Sequence, residues 1–168
     1  MRRPDLEHRS SCPISSSLDV IGDRWSLLVV RDLLFAGART YKEFLSSGEG
    51  IATNILANRL EHLETSGIIT SRRDAADGRK LIYRLTPKGL DLVPVLMELS
   101  LWGVKHERGV GPRAVIQKWR ANREALLAEI RAQWQDEEAS PGAERADPAP
   151  PTRAARKRRA PGRGSPRP

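Results

Sequence analysis

The residues with the most telling chemistry lie between positions 52 and 65. Leu56, Leu60 and Leu63 recur there at i, i+4 and i+7, the spacing that puts three side chains on one side of an α-helix. Asn54, Asn58 and Glu61 then fall on the opposite side, with Thr53 and Ala57 towards its edge. An Asn carboxamide can pair bidentately with adenine, and Thr or Ala can touch a thymine methyl. Residues early in such a helix are the ones that reach base edges. Thr53, Asn54, Ala57 and Asn58 are therefore the candidate base-reading residues. Arg59 points to the side, towards a phosphate or another part of the same domain. The competing reading is that Asn and Thr simply solvate an exposed helix.

Two further groups suit a polyanion. Thr40, Tyr41 and Lys42 open a short helix expected over 41–47, and a helix N-terminus with hydroxyls beside it suits a phosphate. Tyr41 fits burial beside Phe44 equally well. Arg72, Arg73, Arg79 and Lys80 flank a turn, from which they could reach the DNA backbone or minor groove. The alternative for each is an ordinary solvated face. The chain has one cysteine, Cys12, so no intramolecular disulfide can form, which fits a reducing cytoplasm. Cys12 is either a sensor of oxidants or electrophiles or a small residue packing the N-terminal helix.

Other chemistries lack their residues. There is no G-x-x-x-x-G-K-S/T loop, G-x-G-x-x-G, G-x-S-x-G, H-E-x-x-H or C-x-x-C, and His8, His62 and His106 lack metal-ligand spacing. No catalytic residue, metal or cofactor is expected. Charges interrupt every apolar run, and no apolar h-region follows the basic N-terminus, so neither a membrane span nor a secretory signal is expected. The expected location is the cytoplasm, at the nucleoid.

The chain carries 29 Lys+Arg against 21 Asp+Glu, a formal charge of +8 over 168 residues. That balance favours polyanionic partners in general, not one sequence. Most of the excess sits in residues 139–168, which have eight basic residues against two acidic ones. That stretch holds seven of the twelve prolines and no large apolar residue, so it is expected to be disordered. Its Arg156-Lys157-Arg158-Arg159 run would act as a non-specific DNA arm or be inert.

The elements that must position these residues follow from periodicity. Residues 15–21 form a short helix. Residues 23–35 form a helix apolar on most sides, with Trp25, Leu28, Val29 and Leu33 in one stripe, ended by Gly37. The helices over 41–47 and 52–65 follow, the second closed by Gly67. The period then drops to 2 over 68–73 and 80–86, a hairpin whose turn places Gly78 at a left-handed position. Thr86 and Pro87 start a helix running to about 106, kinked at Pro94, and a last amphipathic helix covers 113–134. The expected fold is mainly α with a small β-hairpin wing (α+β), a winged helix-turn-helix.

The run CPISSSLDVIGDRWSLLVVRDLLFAGARTYKEF, then GIATNILANRLEHLETSGII, then LTPKGLDLVPVLMELSLWGVKH resembles the HxlR-type winged-helix regulators over about residues 12–106. The wing tip Asp77-Gly78-Arg79-Lys80 departs somewhat from that family's commonest pattern. The resemblance implies a homodimer on double-stranded DNA at a roughly palindromic operator, with extra N- and C-terminal helices building the dimer. It implies transcriptional control, with a small-molecule or oxidant effector that differs among members. It places Cys12 where some members carry a sensor thiol. The expected divisions are a flexible 1–11, a winged-helix domain 12–106, a C-terminal helix 107–137 for dimerisation or core packing, and the tail 138–168. A protein-interaction module on the same fold and a non-specific DNA-coating protein remain the alternatives.

Overall fold

The computed structural model describes residues 11–108 and 114–139. The expected loose N-terminus up to residue 10, and the basic tail from residue 140 onward with its Arg156–Arg159 run, lie outside the described residues. Residues 138 and 139, expected in the tail, belong to the last helix instead.

Helix α1, Pro13–Ile21, starts on a proline, whose missing N–H costs nothing at a helix start. The single helix expected over 23–35 is not one regular helix. Asp23 lies ahead of it, its carboxylate accepting the Trp25 and Ser26 amides at 2.7 and 3.0 Å. Helix α2, Ser26–Arg31, then runs into a π-helical turn over Asp32–Ala36. Ser26, Val29, Val30 and Leu33 are inside at the ordinary helical spacing, whereas Trp25 and Leu28 are only half-buried. Gly37 ends the segment at φ 69°, a conformation glycine adopts without a Cβ clash.

Helix α3, Tyr41–Leu45, is opened by a capping box between Thr40 and Glu43. Helix α4, Thr53–Thr65, buries the leucine stripe as expected, with Leu56 and Leu63 at zero exposure. These side chains meet Val29, Val30, Leu33, Phe44, Ile68 and Ile69 in one core.

Strands β1, Ile69–Arg73, and β2, Leu81–Leu85, pair antiparallel, with Ile69 opposite Leu85 and Arg73 opposite Leu81. Tyr83 and Leu85 point inward, Tyr83 edge-on to Phe44 at 5.9 Å. On its other edge β2 meets the chain entering α3, where the Tyr83 amide donates to the Arg39 carbonyl at 2.7 Å. That bond ties the hairpin to the helix pair. Gly78 does not take the expected left-handed conformation: the described glycines with positive φ are Gly37, Gly48, Gly50 and Gly67. The Asp74 carboxylate instead accepts the Ala76 amide at 2.7 Å, an Asx-type turn that reverses the chain without a positive φ.

The helix expected over 86–106 is two: α5, Pro87–Leu90, and α6, Val93–His106. The break precedes Pro94 because proline is tolerated only in a helix's first turn. The helix expected over 113–134 is likewise two, α7, Ala114–Ala121, and α8, Arg123–Ala139. Asn122 separates them by accepting the Ala125 amide at 3.0 Å, as an N-cap does. Val93, Met97, Ile116, Trp119 and Leu126 form a second apolar cluster. Helix α8 then returns to the hairpin base, where Trp134 donates to the Leu85 carbonyl at 2.9 Å and Glu137 pairs with Arg39 at 2.9 Å. The order of elements and the two-stranded hairpin make this a winged helix-turn-helix.

Candidate nucleic-acid interface

Helix α4 is held by what lies beneath and beside it. The leucine stripe anchors one face. At its first turn the Tyr41 hydroxyl donates to the Thr53 carbonyl at 2.6 Å, bracing α3 against α4. The turn between them places Gly48 at φ 87° and Gly50 at φ 74°. Glu49 in that turn accepts from Arg31 at 2.6 Å, and Arg31 also pairs with the buried Asp32 at 2.7 Å. Burial pushes the Asp32 carboxyl up, against the opposing pull of Arg31.

With the leucines inside, Thr53, Asn54, Ala57 and Asn58 are all exposed on one continuous surface, together with Glu61. Ile55 joins them at 38 % exposure, an apolar side chain that the leucine periodicity left unassigned. Arg59 is half-buried and turned back into the domain, pairing with Asp23 at 3.1 Å. Of the two roles open to Arg59, the intra-domain one is present in the structure. His62 is half-buried and meets the Val20 carbonyl at 2.9 Å, which joins α4 to α1.

The opening of α3 is more committed than its sequence suggests. The Thr40 hydroxyl accepts the Glu43 amide, and Tyr41 is half-buried against the core. Both hydroxyls considered for a phosphate are thus engaged within the domain, while Lys42 is exposed. In the wing, Arg72 and Arg73 are successive strand residues and point to opposite faces, so one groove wall cannot meet both. Arg73 donates to the Gly78 carbonyl at 2.7 Å. Arg79 and Lys80 share Asp77, at 3.1 and 3.9 Å, while remaining exposed. The wing tip therefore carries its basic residues around an acid. Cys12 is exposed in the single chain, at the N-cap of α1.

Asp23 is the residue that sequence reasoning missed, because it was placed inside the helix rather than ahead of it. Burial alone would raise its pKa. Hydrogen bonds from the Ser26 hydroxyl, the Trp25 and Ser26 amides and Arg59 outweigh that and hold it below 3.8. A depressed carboxyl stabilises the fold fully above the unfolded value, and that contribution fades as pH falls through the folded value. Asp23→Asn is expected to lower the urea midpoint at pH 6, with the gap to the unsubstituted chain narrowing below about pH 4. A gap that stays constant from pH 6 to pH 3 would show that the charge of Asp23 is irrelevant.

Among the described residues no helix is long and apolar enough to cross a membrane. A family model described as HxlR-like helix-turn-helix matches residues 20–109. An uncharacterised HTH-type transcriptional regulator of Synechocystis is 35% identical over 100 residues, covering 60% of this chain and 73% of that protein. The crystal structure of PA1607, described as a candidate transcription factor, matches with a TM-score of 0.56 at 40% identity, covering 62% of this chain and 72% of that one. A redox regulator, HypR, in its oxidised form matches with a TM-score of 0.52 at 28% identity, covering 57% of this chain and 98% of that one. The helix order and the two-stranded hairpin agree with these likenesses, and the chain belongs to the HxlR-like helix-turn-helix family of DNA-binding transcriptional regulators.

Proposed function

We propose that the protein acts as a homodimer on a roughly palindromic operator, with one α4 from each protomer in successive major grooves. The observation that carries this is the outer face of α4, where Thr53, Asn54, Ala57 and Asn58 stand exposed above a fully buried leucine stripe. Lys42 and the wing residues Arg79, Lys80 and one of the oppositely facing pair Arg72 and Arg73 then meet phosphates or the minor groove and set the register. Arg59 acts from within the domain.

Two observations support the dimer. Helix α1 exposes Ile14 and Leu18, and α6 exposes Val95, Leu99 and Trp102 at i, i+4 and i+7, with Leu18 at 59 % and Trp102 at 56 % exposure. Large apolar side chains left exposed on α1 and α6 support an association surface there. The C-terminal segment after α6 serves core packing as well, since Trp119 is buried and Trp134 packs on the domain.

Cys12 is the N-cap of the same α1, so a dimer in which the two α1 starts meet would bring the two thiols within reach of one another. Cys12 is the thiol sensor in this reading: an oxidant such as diamide takes two electrons and two protons from the pair and leaves an intersubunit disulfide. Likeness to the redox regulator HypR supports it.

The test is fluorescence anisotropy of the full chain on duplexes from upstream of its own gene, against scrambled duplexes, near physiological salt. The operator is expected to bind about 10³-fold tighter or more. Adding diamide is expected to change operator binding of the native chain and leave Cys12→Ser unaffected. Equal affinity for every upstream and scrambled duplex sinks the operator reading, and an equal diamide response in Cys12→Ser sinks the sensor.

A further inference from the structure

The outer face of α4 is not a set of independent side chains. Asp23 sits ahead of α2, fixed by the Trp25 amide at 2.7 Å, the Ser26 amide at 3.0 Å and the buried Ser26 hydroxyl. It holds the Arg59 guanidinium at 3.1 Å across 36 residues of sequence. Through its other terminal nitrogen, Arg59 donates to the side-chain oxygen of Asn58. A guanidinium carries only donors, so the atom of Asn58 that faces it must be the carboxamide oxygen. The amide nitrogen of Asn58, with two N–H donors and no acceptor, is then the end turned away from the anchored arginine.

That orientation bears on which base Asn58 can read. Reading adenine bidentately requires an acceptor for the adenine N6 amino group and a donor for N7 together. Guanine presents only acceptors, O6 and N7, on its major-groove edge. We propose that Asp23 and Arg59 are positioning residues that turn the Asn58 carboxamide so that it leads with its N–H donors and selects guanine over adenine. The inference rests on the reading of α4 as the recognition helix. It changes the expectation from sequence alone, in which an exposed Asn pairs with adenine.

The experiment is selection of bound duplexes from a random-sequence double-stranded DNA pool, using the full chain and its Asn58→Ala, Arg59→Met and Arg59→Lys variants. Asn58→Ala identifies the operator position that this side chain reads, because preference there flattens. The unsubstituted chain is expected to enrich G·C at that position. In Arg59→Met the carboxamide is released while Asp23 keeps its backbone partners, and the guanine-to-adenine ratio there should fall about fivefold or more. Arg59→Lys, which can still bridge Asp23 and Asn58, should retain most of the guanine preference. A purely structural Arg59 would weaken binding at all positions alike and leave the base ratio unchanged. Enrichment of adenine by the unsubstituted chain at that position overturns the proposal, as does an unaltered preference in Asn58→Ala. These two results need only the native chain and an exposed substitution, so they decide the matter even if Arg59→Met folds poorly. If the native chain enriches no sequence at all, the recognition-helix reading itself fails.

Discussion

Leu18→Glu combined with Trp102→Glu is expected to produce a monomer that binds the operator at least about 100-fold more weakly. Both side chains are more than half exposed in the single chain, at 59 % and 56 %, so charging them removes no intramolecular packing of consequence. In a dimer they would be buried, and an unpaired carboxylate in an apolar interface costs several kcal/mol. Linking two half-site readers raises overall affinity by about 10²- to 10⁴-fold, and a monomer forfeits that gain. Sedimentation velocity and anisotropy on the same samples check both halves, and circular dichroism should show an unchanged fold. A double variant that still sediments as a dimer would place the interface elsewhere.

Leu56→Ala is expected to destabilise the fold by about 2–5 kcal/mol, because it opens a cavity under α4 at a fully buried position. That is a large part of the stability of a domain this size. Asn54→Ala, one face away on the same helix, should leave the urea midpoint within about 0.5 kcal/mol of the parent. It should nonetheless weaken operator binding by roughly tenfold, since a good base contact contributes about 1–3 kcal/mol of discrimination. The pair separates what α4 does for the fold from what it does for DNA. If Asn54→Ala proved as destabilising as Leu56→Ala, the outer face of α4 would be structural and not a reading surface.

Much of the fold was legible without coordinates where a local pattern and its burial agree. The stripe Leu56, Leu60, Leu63 has the same meaning in the sequence and in the core, since a 3.6-residue period leaves one side for packing. The hairpin was legible from the alternation around Tyr83 and Leu85. Element boundaries were less so. The π-helical turn over Asp32–Ala36 was hidden, because a change of hydrogen-bond register leaves no mark in composition. Asn122 and the Asp91–Leu92 step likewise split apolar runs that read as single helices. Asp74 supplied a turn for which Gly78 had seemed necessary.

The sequence by itself determined the class of the protein: a polar outer face on a leucine-anchored helix, preceded by a short helix and followed by a hairpin, with little net charge to bind DNA indiscriminately outside the tail. These features are local, spanning a few helical turns or one strand pair, so periodicity and capping chemistry reveal them. Only the tertiary structure decided which polar atoms remain available to a partner. Thr40, Tyr41 and Arg59 look like phosphate ligands in the sequence, yet each has a partner inside the domain. Asp23 and Arg59 are 36 residues apart. A hydrogen bond across that span depends on how α2 packs against α4, and no local pattern carries that information, because donors and acceptors are committed by distance and direction in the folded chain.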